Sequence, residues 1–549
     1  MSSGAATPQI DSAGGAAMPA APRRASPALA LRAGGFVRRT NPCVLIALAL
    51  TLVYHGSLLV RTFGGTYDAL IHIFFADHYA RAWFDHWEPR WYTGFTMTSY
   101  PPGSHQSIAL LSHLIGLRGG FFVVQLGALL FSVLGVYRFS RLWVSEEAAG
   151  YAALLAVFST SLAETVHIYG QLPTTFSLGF LLNALPYAQR WLRRGGWRAL
   201  LTAWAAAAAC TAGHHVTTLF GSVFFIAPVI ATILLDAWVR PLPGEPAEGG
   251  RAGGWRAMLG IRVRRVAAPT GRALVFGVGL IALLIIVVLP YWWWSLTDPI
   301  TQVSIPHPSR DSYLVDRNAG LLFWLIPYGV ATLALPYVLW RSLASRAWPL
   351  GLGLALLTLL GTGGTTPLPR LILGHAYDIL TMERFTFWST IIMLPFLGQL
   401  VASLRHGRIA LWLSLGFGAA GLRAVQATLA LAYLAAALAV SVFPVFRPIE
   451  PPALDMRPIV DFLAKDQHWR YRYLTLGFGD QQAWLAAQTT ALSVDGDYHS
   501  ARRLPELTTE PVGTLDSAKY LGPGGLSALR QILGLPEKYN LNYTFSNDR

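Results

Sequence analysis

Long apolar runs constrain this chain more than any other feature of its sequence. Stretches of about 20 mainly hydrophobic residues recur from residue 42 to residue 444, and a helix of that length crosses the hydrocarbon core of a bilayer. Of the 549 residues, 53% are hydrophobic and 13% are charged, whereas soluble domains carry about 25% charged residues. The sequence therefore predicts an all-α polytopic membrane protein.

The apolar runs predict about eleven transmembrane helices. They lie near residues 42–61, 119–138, 147–163, 173–189, 198–213, 216–235, 273–294, 320–340, 348–363, 385–404 and 424–444. A shorter amphipathic segment at 105–117 predicts an interfacial helix. Residues 408–422 are either interfacial as well or the start of one long tilted helix.

Composition divides the chain into three parts. Residues 1–40 are rich in Ala, Pro, Ser and Arg without periodicity, which predicts a disordered cytoplasmic tail. Residues 41–445 form the predicted transmembrane domain. Residues 446–549 are mixed polar and predict a small extracytoplasmic α/β domain, with a helix at 455–467 and a strand at 471–476. We recognise no closing element, so the completeness of this domain is left open.

The net charge of +14 does not indicate nucleic-acid binding, because the arginines cluster in short connections between apolar runs. Such clusters mark cytoplasmic loops. With eleven spans and a cytoplasmic amino terminus, the loops 62–104, 163–173, 295–319 and 364–384 face outward together with the tail beyond 445. If Arg423 splits the last run into two spans, that tail faces inward instead. The excess of Arg over Lys is typical of GC-rich bacterial coding and predicts a bacterial inner-membrane protein.

The first outward loop concentrates titratable and aromatic side chains. Asp68 and His72 are four residues apart and share one face of a helix, so that 68–87 predicts an amphipathic helix on the outer membrane surface. A carboxylate beside an imidazole can deprotonate a hydroxyl acceptor; a merely solvated interfacial helix is the alternative. The aromatic residues of 87–91 and Tyr100 suit either sugar stacking or an interfacial belt.

Further polar groups lie at the ends of other predicted spans. Glu164 is costly there unless it faces a polar cavity, although it is an ordinary loop residue if the span ends one turn earlier. We expect His214-His215 to cap or pack a helix. We expect Asp495-Gly496-Asp497 to form a hairpin turn rather than a metal-binding DxD motif. No cofactor motif is found, and a divalent metal is left open.

Three segments together resemble a known family. They are Asp68-x3-His72 with W-x-P-R-W at 87–91, Gly94 and Tyr-Pro-Pro at 100–102; Glu164 with Gly-Gln-Leu-Pro at 170–173; and Met-Glu-Arg-Phe at 382–385. This pattern resembles the bacterial membrane family labelled "6-pyruvoyl-tetrahydropterin synthase-related", which in turn is similar to the GT-C glycosyltransferase superfamily. The resemblance covers about residues 40 to 480.

The resemblance implies a cavity that transfers a sugar from a polyprenyl-phosphate donor to a cell-envelope glycan or protein. It implies that Asp68 is the catalytic base, with Glu164 as a second catalytic residue, and that Arg384 binds the lipid phosphate. The other expected substrate-binding residues are His72, Arg90, Trp91 and Tyr100, although Arg90 is also placed to pair with a nearby carboxylate. A lipid or glycan transporter or flippase, or a non-catalytic envelope assembly protein, is the alternative.

Overall fold

Helices dominate a computed structural model of the chain, which describes residues 41–97, 100–240, 255–297, 307–448, 450–498, 504, 506 and 514–547. In chain order the α-helices are α1 (Pro42–Thr62), α2 (Ala69–Arg81), α3 (Gly103–Ser140), α4 (Glu146–Val157), α5 (Thr160–Ala163), α6 (Leu172–Arg194), α7 (Trp197–Gly213), α8 (His215–Gly221), α9 (Ala227–Val239), α10 (Trp255–Thr297), α11 (Arg317–Gly320), α12 (Ile326–Tyr328), α13 (Leu335–Leu343), α14 (Trp348–Leu360), α15 (Leu368–Leu373), α16 (Glu383–His406), α17 (Arg408–Val442), α18 (Arg457–Ala464), α19 (Gln481–Gln488), α20 (Gly522–Leu533) and α21 (Pro536–Tyr539). The predicted tail 1–40 lies outside the described residues.

A helix covers each predicted span, but the number of spans is not confirmed. Among the described residues, seven helices are long and apolar enough to cross a membrane, or eight if the bent pair Glu146–Val157 and Thr160–Ile168 is one span. Helix α7 has 17 residues and α14 has 13, while α6 is too polar. Helices buried inside a bundle contact protein rather than lipid, so they can carry polar residues that a hydropathy pattern penalises.

Two predicted interfacial segments belong to long broken helices. Residues 105–117 form the beginning of α3, which is broken at Gly116, where φ is +74°. Residues 408–422 open α17, which is broken at Gly418, where φ is +70°. Glycine has no Cβ, so it adopts these left-handed angles without a steric penalty.

The bundle interior is closely packed around α3 and α6. A Cβ added to Gly135 would lie 2.8 Å from the Leu182 Cβ, so the two helices approach at a small residue. Buried amide side chains there form hydrogen bonds: Gln125 Nε2 donates to Thr175 Oγ1 over 2.9 Å, and Asn183 Nδ2 donates to the Phe131 carbonyl over 2.9 Å. In contrast, only 6% of the residues in the apolar stretch of α10 are buried inside the protein, as expected of a lipid-facing helix.

The described residues after Phe446 contain helices α18 to α21 and a two-stranded parallel sheet. Its strands, β3 (Arg472–Leu476) and β4 (Leu541–Ser546), pair with Leu474 opposite Thr544. A separate antiparallel pair, β1 (Trp87–Glu88) and β2 (Phe95–Thr96), lies in the first loop. The carboxyl-terminal segments pack on the bundle, and Pro42–Arg549 forms one compact unit.

Helix α2 corrects one prediction. Every residue from Ala69 to Tyr79 is buried, so α2 is not an amphipathic helix resting on the membrane surface with a solvated face. Its apolar residues instead pack between the bundle and α19, as Phe74 and Phe75 are at most 3% exposed. The sequence pattern of α2 does not distinguish a membrane surface from a protein interior, because either one would cover its apolar side.

Candidate functional site

A cavity of about 2180 Å³ lies at one end of the helical bundle, and segments distant in the sequence line it. The lining comes from the α1–α2 junction, the turn before α6, the α7–α8 junction, the start of α16 and the segments after Phe446. These loops therefore meet at a common end of the bundle. Of the predicted site residues, Asp68, His72, Tyr100 and Arg384 line the cavity.

Asp68 is positioned by the backbone of the turn before α6. Its N–H donates to the Tyr169 carbonyl over 2.9 Å, and the preceding Tyr67 N–H donates to the Ile168 carbonyl over 3.1 Å. Asp68 also occupies the position that opens α2, where the Thr66 hydroxyl accepts a 3.2 Å bond from the Ala69 N–H. The carboxylate thus projects from a backbone that is held on two sides.

The surroundings of Asp68 alter its ionisation. Burial raises the pKa of the carboxyl to about 7, and the nearby Glu383 adds to this increase, while Arg384 opposes it. A carboxyl group that titrates near neutral pH is suited to accept a proton from a hydroxyl. Asp68 and Arg384 are thus coupled electrostatically across one cavity.

Glu383 and Arg384 open α16 at the cavity wall. The Arg384 Nε donates to the Thr381 carbonyl and its Nη2 donates to the Thr381 hydroxyl, each over 3.1 Å. Glu383 is 7% exposed, accepts from the Thr381 hydroxyl through Oε1, and has no partner for Oε2 in the described part of the chain. One threonine therefore orients the arginine and its acidic neighbour together.

Glu164 lies behind the cavity wall rather than in it. It begins a π-helical turn, Glu164–Ile168, is 2% exposed, and accepts a 3.3 Å hydrogen bond from the hydroxyl of Tyr169, which does line the cavity. A histidine pair supports the same turn, since His55 Nδ1 and His167 Nε2 lie 2.9 Å apart. Single π-turns inside helices occur frequently at functional sites.

A group of histidines surrounds Tyr100. His72 Nδ1 lies 3.0 Å from His105 Nε2, and His72 Nε2 is buried without a partner in the described ranges. The Tyr100 ring contacts His72 edge-on, with centroids 5.6 Å apart. His214, which bonds Thr217 Oγ1 over 2.8 Å, lines the cavity as well, so its role is not limited to capping α8.

Arg90 and Trp91 lie outside the cavity lining. Arg90 binds both carboxylate oxygens of Glu88, at 2.8 and 2.6 Å, and its Nη1 donates to Asp77 over 2.5 Å and to the Ala486 carbonyl over 3.0 Å. Trp91 is 1% exposed and stacks on Phe74 with centroids 4.0 Å apart. Arg90 thus fastens the first loop to α19 and Trp91 packs it on α2, so the observed contacts of both residues are structural.

The carboxyl-terminal segments supply an acidic wall, which we define as Glu450, Asp480 and Asp497. Among the described residues, which end at 498 in this segment, no strand pair flanks Asp495-Gly496-Asp497, where a hairpin is expected. The Tyr92 hydroxyl donates to the Gly496 carbonyl, and a Cβ on Gly496 would lie 2.6 Å from Trp91. This turn therefore packs on the first loop, and Asp497 lines the cavity.

The residues present do not form a metal-binding geometry. Within the described ranges, no three His, Cys, Asp or Glu side chains are grouped closely enough to hold a metal ion. We therefore derive no chemical step through a metal.

Several cavity residues escaped sequence reasoning. Glu383 is part of the Met-Glu-Arg-Phe motif but is not predicted as a site residue, Asp497 belongs to a DxD pattern that is interpreted as a turn, and no motif marks Glu450 or Asp480. The available signal was the polar character of these turns, which is shared by ordinary solvated loops.

Comparison with known structures identifies the architecture. An archaeal oligosaccharyltransferase, AglB from Archaeoglobus fulgidus in complex with an inhibitory peptide and a dolichol-phosphate, matches with a TM-score of 0.51 and 13% identity over 92% of this chain and 69% of that one. The apo form of the oligosaccharyltransferase from that organism gives 0.53 and 14% over the same shares, 92% and 69%. ArnT from Cupriavidus metallidurans bound to undecaprenyl phosphate gives 0.45 and 12% over 84% and 86%.

The likeness to the oligosaccharyltransferase structures shows a GT-C-like fold in a multi-pass membrane protein. No protein-family model and no curated protein sequence matches the chain. The narrower pterin synthase-related family name is not supported by these comparisons.

Proposed function

We propose that this protein is a membrane glycosyltransferase that moves a sugar from a polyprenyl-phosphate donor to a cell-envelope acceptor. The observation that carries the proposal is the placement of Asp68 and Arg384 on one cavity, where the charge of the arginine lowers the pKa of the aspartate against the effect of burial. The GT-C-like fold and the dolichol-phosphate and peptide bound by the archaeal oligosaccharyltransferase support it.

The proposed reaction divides into two roles. The Asp68 carboxylate takes the proton of the acceptor hydroxyl, whose oxygen then attacks the anomeric carbon of the sugar. The bond between that carbon and the phosphate oxygen breaks, and the polyprenyl phosphate leaves with the bonding electron pair. Arg384 stabilises the negative charge that develops on this phosphate.

The arginine-rich connections support the proposed location of the reaction. Because the cavity collects the loops predicted to face outward, transfer would take place on the extracytoplasmic side of the bacterial inner membrane, with the amino terminus in the cytoplasm. Glu164, His72 and Tyr100 are proposed as supporting residues, with Glu164 acting through the hydroxyl of Tyr169.

Donor turnover tests the proposal. The full chain is reconstituted in proteoliposomes with a panel of radiolabelled polyprenyl-phosphate monosaccharides and a cell-envelope extract as acceptor, and released polyprenyl phosphate is measured by mass spectrometry. We expect release with wild type and with Asp378→Asn, a cavity-lining control, but not with Asp68→Asn. Lipid translocation without bond cleavage would instead establish a flippase.

A further inference from the structure

The acidic wall contains charges that the proposed reaction does not use. Among residues lining the cavity, eight are acidic and three are Arg or Lys. Three of the acids form the wall, on segments that follow the bundle, whereas Arg384 lies at the start of α16. The lining therefore carries more acidic than basic side chains.

Other acids near the wall are accounted for by the backbone. Asp516 accepts from the N–H groups of Phe478 and Gly479 over 2.9 and 2.8 Å. Asp495 Oδ2 accepts a 2.7 Å bond from the Asp516 N–H. These two carboxylates hold turns together, so they are not part of the wall.

Asp480 is different because it is buried and faces the cavity without a donor. It is 3% exposed, its side chain meets the Glu450 carboxyl, and no N–H group or hydroxyl of the described residues donates to either carboxylate oxygen. Glu450 faces it, with Oε2 3.4 Å from the Asp480 backbone nitrogen. Burial and the Glu450 charge raise the pKa of Asp480 well above its ordinary value.

Arg447 lowers the pKa of both Glu450 and Asp480 by its charge but does not form an ion pair with either in the described ranges. Arg447 donates through Nε to the Pro451 carbonyl over 2.6 Å and through Nη1 to the Gly64 carbonyl. Its guanidinium is thereby committed to backbone oxygens of two loops, and no ion pair with Glu450 or Asp480 is found in the described ranges. Adjacent buried carboxyl groups avoid the cost of unpaired charge either by keeping a proton, in line with the raised pKa values of Glu450 and Asp480, or by binding a cation supplied by a ligand.

The geometry favours an organic cation over a bare metal ion. The described His, Cys, Asp and Glu side chains do not converge tightly enough for metal coordination, whereas a larger ammonium group can span carboxylates that are further apart. Tyr498, adjacent to Asp497, lines the cavity too, and an aromatic ring also favours an ammonium ion.

We propose that Glu450, Asp480 and Asp497 form a subsite for a positively charged group, of the primary amine class, on the acceptor. The assignment of this group to the acceptor rests on the proposed function, because Arg384 takes the donor phosphate at the bundle side of the cavity. The amine would donate to the two oxygens of Asp480, which have no N–H or hydroxyl donor among the described residues.

Binding to the full chain in nanodiscs tests this subsite without requiring catalysis. The probes are methyl 6-amino-6-deoxyglucoside, which is cationic at neutral pH, and methyl glucoside, its neutral counterpart. We expect wild type to bind the amine about tenfold more tightly than the neutral sugar, as measured by ligand-observed NMR. Asp480→Asn should remove this preference, and Asp378→Asn should retain it.

Glu450→Gln provides the same test if Asp480→Asn reduces the folded yield. Equal binding of the two probes by wild type, or equal loss of preference in Asp378→Asn, would overturn the subsite. Saturable Mn²⁺ binding that disappears in Asp480→Asn would overturn it as well, since the wall would then hold a metal. If the amine preference is present but donor turnover survives in Asp68→Asn, the proposed transfer mechanism fails and the cationic subsite stands.

Discussion

The backbone N–H of Asp68 donates to the carbonyl of Tyr169 over 2.9 Å, which joins the first loop to the turn before α6. Tyr169 in turn bonds Glu164 through its hydroxyl. The proposed base is therefore positioned by the segment directly before the fourth predicted span, which is far from Asp68 in the sequence. Changes in that turn should affect transfer without touching the carboxylate.

Gly170→Ala should displace Asp68. Gly170 has a φ of +70°, and a Cβ there would lie 2.6 Å from Thr66 Oγ1 and 2.8 Å from the Ala69 nitrogen. We expect turnover to fall by about 10²-fold, as it does when a reacting group moves by about 1 Å. Gly277→Ala on lipid-facing α10, where a Cβ meets nothing within 4 Å, is the control; equal activity of the two variants would refute this positioning role.

Asp68→Asn should abolish most of the transfer while preserving the fold. Loss of a general base lowers the rate by about 10²–10⁴-fold. The melting temperature should be unchanged or higher, because the buried carboxylate is disfavoured in its charged form. Turnover and thermal unfolding in detergent measure the two effects, and wild-type turnover would remove Asp68 from the mechanism.

Activity should depend on pH through Asp68. A base acts when deprotonated, and the pKa of Asp68 is raised to about 7, so turnover should decline about tenfold per pH unit below that value and level off above it. Glu383→Gln removes a negative neighbour and should lower the pKa of Asp68, which extends activity to more acidic pH. If the acidic limb of the pH profile does not move in Glu383→Gln, the role of Asp68 as the base is contradicted.

Arg384→Gln should impair the departure of the phosphate. Removing a group that stabilises developing charge costs about 10²–10³-fold in rate. Because Arg384 opposes the increase in the Asp68 pKa, the acidic limb of the pH profile should also move to higher pH. Arg370→Gln, which removes an exposed partner of Asp378, is the control and should leave both quantities unchanged.

Arg90→Ala should reduce stability rather than substrate binding. Hydrogen bonds from Arg90 and His78 outweigh burial and lower the pKa of Glu88 to about 2. Removing one partner of such a buried network costs about 3–5 kcal/mol, which thermal unfolding would record as a lower melting temperature. Arg457→Ala, which breaks the exposed pair with Asp455, should have no measurable effect. An increased KM with unchanged stability would instead place Arg90 at the substrate.

Part of the site was predictable because it depends on local patterns. A carboxylate directly after an apolar run marks Asp68 as a candidate site residue, and the resemblance predicts Arg384 as another. The same local patterns misassigned α2, whose apolar face fits a membrane surface and a protein interior equally well. They leave open whether Arg90 and Trp91 meet the substrate, because charge and aromaticity do not reveal whether a partner is already present.

The sequence by itself determined that the chain forms a membrane bundle, since about 20 consecutive apolar residues have few other stable environments. The distribution of arginine also predicts which loops share a side of the membrane. Only the tertiary structure decided that Glu450, Asp480 and Asp497 meet the cavity that contains Asp68. Hydropathy acts within one segment, whereas the formation of a site depends on packing between segments that are far apart in the chain.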